Sequence, residues 1–510
     1  MIVQLTGDDL SFEQLYEVSL NGAEASLSAE ARVRMIASRA VIEKIVAAET
    51  TAYGVNTGFG DLAEVRISSD QIRTLQINLV RSHACGVGAP LTEPETRAII
   101  LLRANALAKG LSGVRPILVE TLCSMLNHGV HPVIPSQGSV GASGDLAPLA
   151  HLALVLIGEG EATLNGQRMA GGEALSKAGI APLELEAKEG ISLLNGTQGM
   201  LALLALALRE AQILADTADV AAALSLDALR GSPAAFDLRV AAARAYPGHA
   251  VTSRNLLRLN RGSQIRESHR PTDRDPRVQD AYSLRCTPQV HGAVHDALVA
   301  VRAVAEIELN SATDNPLVFL AADDVAGSGD VISGGNFHGQ PLAMAADQLA
   351  VALATLGGIS ERRTEHMTNP HTNLLPAFLT SAPGLNSGFM IAHVTAAALA
   401  SENKALAAPH SVDSISTSGG QEDYVSMGMS AARRLRAMLD NLRRIIAIEL
   451  LAACQGIDFH APLKTGGEAL KAHALVREVS AHVEADRSLA PDIEAVADRI
   501  AEKAFADLLR

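Results

Sequence analysis

Residues 138–148 read Gly-Ser-Val-Gly-Ala-Ser-Gly-Asp-Leu-Ala-Pro, with Ala142-Ser143-Gly144 at the centre. Gly141 and Gly144 flank the pair Ala142-Ser143, and glycine reaches φ/ψ regions closed to other residues. A backbone this unhindered can fold sharply onto itself. The Gly144 nitrogen can then meet the Ala142 carbonyl carbon, and loss of water closes a five-membered ring. Loss of the Ser143 hydroxyl leaves a methylidene, an electrophile made from the chain itself. Spacing alone leaves two other readings open, a plain turn and an anion-binding loop. The glycines do not form a nucleotide phosphate loop, because no Lys-Ser or Lys-Thr follows them.

Other polar residues stand in similar small-residue settings. Tyr53 lies in AYGVNTGFG, where a phenol is a general base if its neighbours lower its pKa, or simply packs over a turn. His83 lies in RSHACGVGAP, and an isolated histidine is either structural or catalytic. LLNGTQ brings Asn195 and Gln198. An amide there donates to a developing oxyanion, or caps a helix. VQDAYSLRCTPQVHG brings Gln279, Tyr282 and Arg285, whose spacing of three puts them on one side of a helix. Arginine is the natural bidentate partner of an α-carboxylate, and equally of an interface carboxylate. SGGQEDYVSMG brings Gln421 and Glu422, a carboxylate able to bind a cationic or N–H-bearing ring or to move a proton. None of the sixteen histidines forms HExxH or a comparable cluster, so no metal is expected. His291 and His295, four apart, read as structural, with a metal site as the weaker alternative.

The elements that must hold these residues are mostly helical. Of 510 residues, 48% are hydrophobic but only 3% aromatic, with no Trp. The core is therefore built from Ala, Leu, Val and Ile, and Ala and Leu are strong helix formers. Charged residues make up 19%, which fits a large core or surface buried between subunits. The net charge of −14 argues against nucleic-acid or anionic-membrane binding. The seven arginines from Arg254 to Arg277 read as a solvated or interface connector. Cys85, Cys123, Cys286 and Cys454 are far apart, which fits reduced thiols in the cytoplasm. No signal peptide is read at the N-terminus, and the apolar run Met200–Leu208 is too short to span a bilayer.

Residues 1–200 read as a mixed part with short helices, turns and strands, and 201–510 as long helices. Ser28 caps a helix expected through Glu49, with Val33, Ile36, Ala40 and Val41 on its apolar face. A second helix is expected over Glu93–Leu111, and another after Pro148. Further on, stripes run through Val294, Leu298, Val301, Val304 and Ala305, then through Leu342, Ala345, Leu349, Ala352, Leu353 and Leu356. Ser387–Leu406 is an Ala-rich helix, and Leu435, Met438, Leu442, Ile445, Ile446 and Leu450 make the last stripe. Such helices suit a bundle. Residues 321–330 read as a surface loop.

GSVGASGDLAPLAH resembles the signature of the aromatic amino-acid ammonia-lyases, and the similarity continues in order from Ala52 to about Gln455. The resemblance implies the cofactor 4-methylidene-imidazol-5-one (MIO), formed autocatalytically from Ala142-Ser143-Gly144, with no external cofactor. It implies Tyr53 as the base for the β-proton and Asn195 as the holder of the ring carbonyl. Arg285 becomes the carboxylate clamp, Tyr282 a hydroxyl near the ring, Gln279 a supporting polar group and Phe337 a pocket wall. His83, in its Ser-His-Ala context, resembles the histidine-selective branch, where the matching residue contacts the substrate imidazole. Met390 stands where the phenylalanine-selective branch has Lys. Glu422, next to Gln421, stands where that branch has Gln. Tyr424 departs from the His of many histidine-selective members.

The expected reaction is elimination of ammonia from L-histidine to trans-urocanate, at the start of histidine degradation. The expected fold is mainly α, with a long central helix bundle of fumarase/aspartase-like architecture and a smaller N-terminal part carrying the MIO loop. The expected assembly is a homotetramer with each active site shared between subunits. Three rivals stand beside this: tyrosine or phenylalanine as substrate, an aminomutase, and a non-catalytic helical scaffold. His83 with Glu422 speaks against the first, and Ala142-Ser143-Gly144 with Tyr53 against the last.

Overall fold

The computed structural model describes residues 1–58, 65–270, 275, 277–321 and 327–509. The chain is mainly helical and divides into two compact units. The first comprises Met1–Leu206, Arg302–Asp347 and Pro409–Arg433, and the second Ala207–Val301, Gln348–Ala408 and Arg434–Arg510.

In the first unit, helix Glu93–Ala108 is buried over almost its whole length. It packs against Pro116–Asn127 and Phe12–Asn21. A capping box at Thr92 and Glu95 starts it, and Gly110, at φ +79°, turns the chain away beyond its end. The helix is shorter than expected for that reason. Short strands edge this core. Ile2–Leu5 pairs in parallel with Glu24–Leu27, and Glu161–Leu164 lies between Val130–Pro132 and Gln167–Ala170 in an antiparallel sheet.

Three expectations need correction here. Helix Ala29–Ala47 is capped by the Ser28 side chain, but its buried face is only partly the expected one. Val41 is buried as expected, together with Ala31, Met35, Ser38 and Ile42, whereas Val33 and Ile36 are exposed and Ala40 is partly buried. Arg39 joins the buried face because its guanidinium donates to the Ala187 carbonyl at 2.9 Å and to Glu186 at 2.7 Å. Helix Leu146–Leu156 begins before Pro148, not after it. Proline is tolerated there because first-turn N–H groups have no partner inside the helix. Leu317–Leu320 and Gly329–Ile332 pair as an antiparallel hairpin, so the expected loop is shorter; its residues 322–326 lie outside the described residues.

The second unit is a helix bundle. Leu435–Asp458 packs against Met390–Leu406, Gly467–Val479 and Ala490–Ala501. Met438, Leu442, Ile445, Ile446 and Leu450 are all buried, as their spacing predicts. Leu349, Leu353 and Leu356 of helix Gln340–Thr368 are buried in the same way. Helix Met390–Leu406 starts three residues later than expected, because the Ser387 and Gly388 N–H groups donate to Asp486 at 2.7 and 2.9 Å. The apolar run Met200–Leu208 belongs to the 31-residue helix Gln198–Ala228, which is long and apolar enough to cross a membrane. Most of that helix is buried in protein.

The bundle also encloses charge. Glu449 is fully buried and accepts from Ser225 Oγ at 2.8 Å, Ser360 Oγ at 2.6 Å and the buried guanidinium of Arg363. Arg363 also reaches His291 Nε2 at 3.2 Å, and His291 Nδ1 donates to Asp219 at 2.7 Å. Both imidazole nitrogens of His291 are thus engaged, and burial holds its pKa below the usual value. Removing the charge of Glu449 leaves Arg363 buried without its counter-ion, which costs far more than a surface pair. Glu449→Gln is expected to destabilise the protein by about 3–5 kcal/mol, read as a lower denaturant midpoint with an unchanged slope.

Candidate active site

The first unit contains a cavity of about 740 Å³ lined by Tyr53, His83, Ala142, Ser143, Asn195, Phe337, Gln421 and Glu422. Eight of the residues singled out as cofactor-forming, substrate-facing or catalytic, from six separate stretches of chain, therefore meet in one place.

The loop under Ser143 is held from both sides. Gly141 and Gly144 have φ of +69° and +76°, which disfavours any side chain there. A Cβ on Gly144 would run into the Gly196 carbonyl, and one on Gly141 into Ser426 Oγ. The Asp145 N–H donates to that same Gly196 carbonyl at 2.7 Å. On the other side Met427 N–H donates to the Val140 carbonyl at 2.9 Å, and Ser426 Oγ to the Gly141 carbonyl at 3.2 Å. The Asp145 carboxylate accepts from Met200 N–H at 2.7 Å and Ser139 Oγ at 3.2 Å. Burial pushes its pKa up to about 7 against the pull of these donors.

Tyr53 sits half-buried in a turn stapled by Asn56, which accepts from Ala52 N–H at 2.9 Å and donates to the Thr50 carbonyl at 2.9 Å. Phe59 and Gly60 of that motif lie outside the described residues. His83 ends helix Ile72–His83, and its Nδ1 contacts the Leu79 carbonyl at 2.8 Å. That bond makes Nδ1 the protonated nitrogen and Nε2 the acceptor. Burial lowers the His83 pKa, only partly offset by the Leu79 bond and the Glu422 charge, so the ring is neutral near pH 7. Ser143 Oγ donates to Glu422 Oε1 at 3.3 Å.

Asn195 caps helix Glu189–Leu194, and its side-chain oxygen is buried without a partner among the described residues. Beneath it lies Arg103, fully buried, which donates to the Asn195 carbonyl at 2.9 Å, to Gln198 at 2.8 Å and to the Ser192 carbonyl. Buried Lys188 bonds Asp314 and Ser192 Oγ, each at 2.8 Å, in the same region. Sequence reasoning missed Arg103, Lys188 and Asp314. Arg103 did carry a signal: it interrupts Ile99–Ala108, a stretch otherwise apolar except for Asn105. Such a cation is either exposed or paired inside.

Tyr424 also lines the cavity. Its ring stacks on His338 at 6.2 Å and 18°, and His338 Nε2 contacts the Tyr424 carbonyl at 3.2 Å. Gln279, Tyr282, Arg285 and Met390 belong to the second unit and do not line the cavity. The helix expected over the first three covers only Tyr282–Arg285, with Gln279 in the preceding bend. They cluster nonetheless, because Arg285 donates to Gln279 and stacks 4.6 Å over the Tyr282 ring.

Residues 10–478 match the family model for aromatic amino acid lyases. The chain is 57% identical to a histidine ammonia-lyase of Koribacter versatilis over 500 residues, 97% of this chain and 96% of that protein. Its structure is similar to the crystal structure of the histidine ammonia-lyase from Trypanosoma cruzi, with a TM-score of 0.91 and 45% identity, covering 100% of this chain and 95% of that one. It is also similar to the tyrosine aminomutase of Streptomyces globisporus, with a TM-score of 0.92 and 39% identity, covering 100% and 98%.

Asp145 keeps its proton up to about pH 7 in the folded chain and releases it near the ordinary value of about 4 when unfolded. Its contribution to stability is therefore full below that lower value and is lost as pH rises through 7. Asp145→Asn removes this loss. The stability of the variant relative to the parent should rise between about pH 4 and pH 7 and level off above, measured as denaturant midpoints across that range.

Proposed function

The chain belongs to the aromatic amino acid lyase family, and from that premise we propose that it is a histidine ammonia-lyase. It is a carbon–nitrogen lyase that eliminates ammonia from L-histidine to give trans-urocanate, the first step of histidine breakdown. The observation that carries the reading is that His83 and Glu422 line the same cavity as Ser143.

Ala142-Ser143-Gly144 fit the MIO cofactor. Gly144 sits where a Cβ is excluded, and Asn195 brings to the same cavity an amide whose buried oxygen has no partner among the described residues. When formed, the ring supplies an electrophilic methylidene carbon that turns the ammonium into a better leaving group. The chain's other residues bind and move protons. Tyr53 removes the β-proton. His83 and Glu422 hold the imidazole, with Phe337 and Gln421 as walls, and Met390 joins them only from a neighbouring subunit. Asn195 and Tyr282 stabilise charge beside the ring.

An amino-acid substrate also brings a carboxylate. Among the described residues lining the cavity, none is Arg or Lys. Arg285, steadied by Gln279 and Tyr282, supplies that charge in our reading, contributed by a neighbouring subunit of a homotetramer. Exposed apolar side chains on long helices, among them Val299, Val351, Ile391 and Val394, support self-association. The four cysteines are unpaired, which supports a cytoplasmic setting.

Purified protein should release a conjugated acrylate from L-histidine, followed by ultraviolet absorbance, and far less from L-tyrosine or L-phenylalanine. Ser143→Ala should abolish turnover and the loss of two waters seen by intact mass. Normal turnover in that variant would end the MIO reading, and a β-amino acid in place of the acrylate would make the enzyme an aminomutase. His83→Leu should lower kcat/KM for histidine by about 100-fold, as expected when a polar group of the substrate is left unpaired, and raise the relative rate on phenylalanine.

A further inference from the structure

Glu422 is held by a residue that no motif points to. Thr417 and Glu422 face each other across a tight turn. Thr417 N–H donates to the Glu422 carbonyl at 2.9 Å, and Glu422 N–H to the Thr417 carbonyl at 3.3 Å. Ser418, Gly419 and Gly420 between them all have positive φ, at 51°, 66° and 95°. A turn of that kind fixes the direction in which its closing pair projects. The Thr417 hydroxyl then donates to Glu422 Oε2 at 2.7 Å.

The two carboxylate oxygens thus have different fates. Oε2 is committed to Thr417, while Oε1 meets Ser143 Oγ. The Ser143 hydroxyl is the group that ring formation removes, so Oε1 loses that partner when the cofactor forms. We propose that Thr417 is a positioning residue that commits one oxygen of Glu422 and so presents the other, singly, to an N–H of the substrate ring. This rests on the reading of the enzyme as a histidine ammonia-lyase. A carboxylate free to rotate would spread its acceptor positions and lose the fixed geometry that makes one N–H bond selective.

The test is calorimetric binding of trans-urocanate, together with steady-state kinetics on L-histidine, for Thr417→Val, Thr417→Ser and each combined with Glu422→Gln. Thr417→Val should weaken urocanate binding and raise KM by about five- to tenfold, the scale of one hydrogen bond, with a smaller effect on kcat and with ring formation intact by mass. Thr417→Ser, which keeps the hydroxyl, should stay within about twofold of the parent. In the Glu422→Gln background, Thr417→Val should cost little more, because the two residues act as one unit. Equal losses in the Val and Ser variants, no loss in the Val variant, or a full loss persisting without Glu422 would each overturn the assignment. A parent protein that neither binds urocanate nor consumes histidine overturns the functional reading and this inference together.

Discussion

One junction carries the rest of the site: Asp145 against Gly196 and Met200. The Asp145 backbone donates to the Gly196 carbonyl, and its side chain accepts from the first turn of the long helix that follows. A carboxylate at a helix N-terminus meets unsatisfied N–H groups and the positive end of the helix dipole. The loop bearing Ser143 and the strand of chain bearing Asn195 are therefore joined through a few atoms. Neither can move without breaking a buried hydrogen bond. Two glycines at positive φ are what allow the backbones to approach this closely.

The same region spends stability on buried charge. Arg103 and Lys188 are both fully buried, and burial draws the Arg103 pKa down to about 10 against the opposing pull of the Asp314 charge. Arg103 binds three carbonyl-type acceptors rather than a carboxylate, which converts its charge into rigid geometry around Asn195. Lys188 is balanced by Asp314 and Ser192. Replacing buried ionic groups with well-packed apolar residues often leaves a fold equally stable. What would be lost is the placement of the Asn195 carbonyl and of the turn into helix Gln198–Ala228. In the proposed mechanism that placement sets where an amide meets developing charge.

How much was legible follows from how local each signal is. The stripes at 342–356 and 435–450 were readable because leucine and isoleucine recur at helical spacing in an alanine background. The face of helix Ala29–Ala47 was misread because Arg39 and Ser38 are buried and Val33 and Ile36 are not. Side-chain type predicts burial poorly when a carbonyl and a carboxylate wait inside. The cavity residues were readable because each carries its own small-residue motif. Thr417 was not, since its partner is defined by a turn and a hydroxyl, and Ser-Thr-Ser-Gly-Gly is an ordinary loop composition. Nor could spacing reveal that the first unit takes in residues 302–347 and 409–433, which return to it from far along the chain.

The electrostatics of the cavity bear on selectivity. Neutral His83 keeps its proton on Nδ1, bonded to Leu79, and so offers Nε2 as an acceptor. Glu422 offers a second acceptor, with one oxygen already taken. An imidazolium brings two N–H groups to such acceptors and a neutral imidazole one, whereas a phenyl ring brings none. Phenylalanine would strip water from both without replacing the hydrogen bonds, and a buried acceptor left unpaired costs more than the same bond gains when made. If His83 and Glu422 hold the substrate ring as proposed, the site discriminates mainly by penalising the wrong ring, which is stronger than shape alone can achieve for side chains of similar bulk. Tyrosine is the closer competitor, because its hydroxyl satisfies one acceptor, as a neutral imidazole does, and only an imidazolium satisfies two placed apart. In the proposed function, the distance between His83 Nε2 and the uncommitted oxygen of Glu422 is the quantity on which the choice between histidine and tyrosine turns, and the proposed role of Thr417 is to control one end of it.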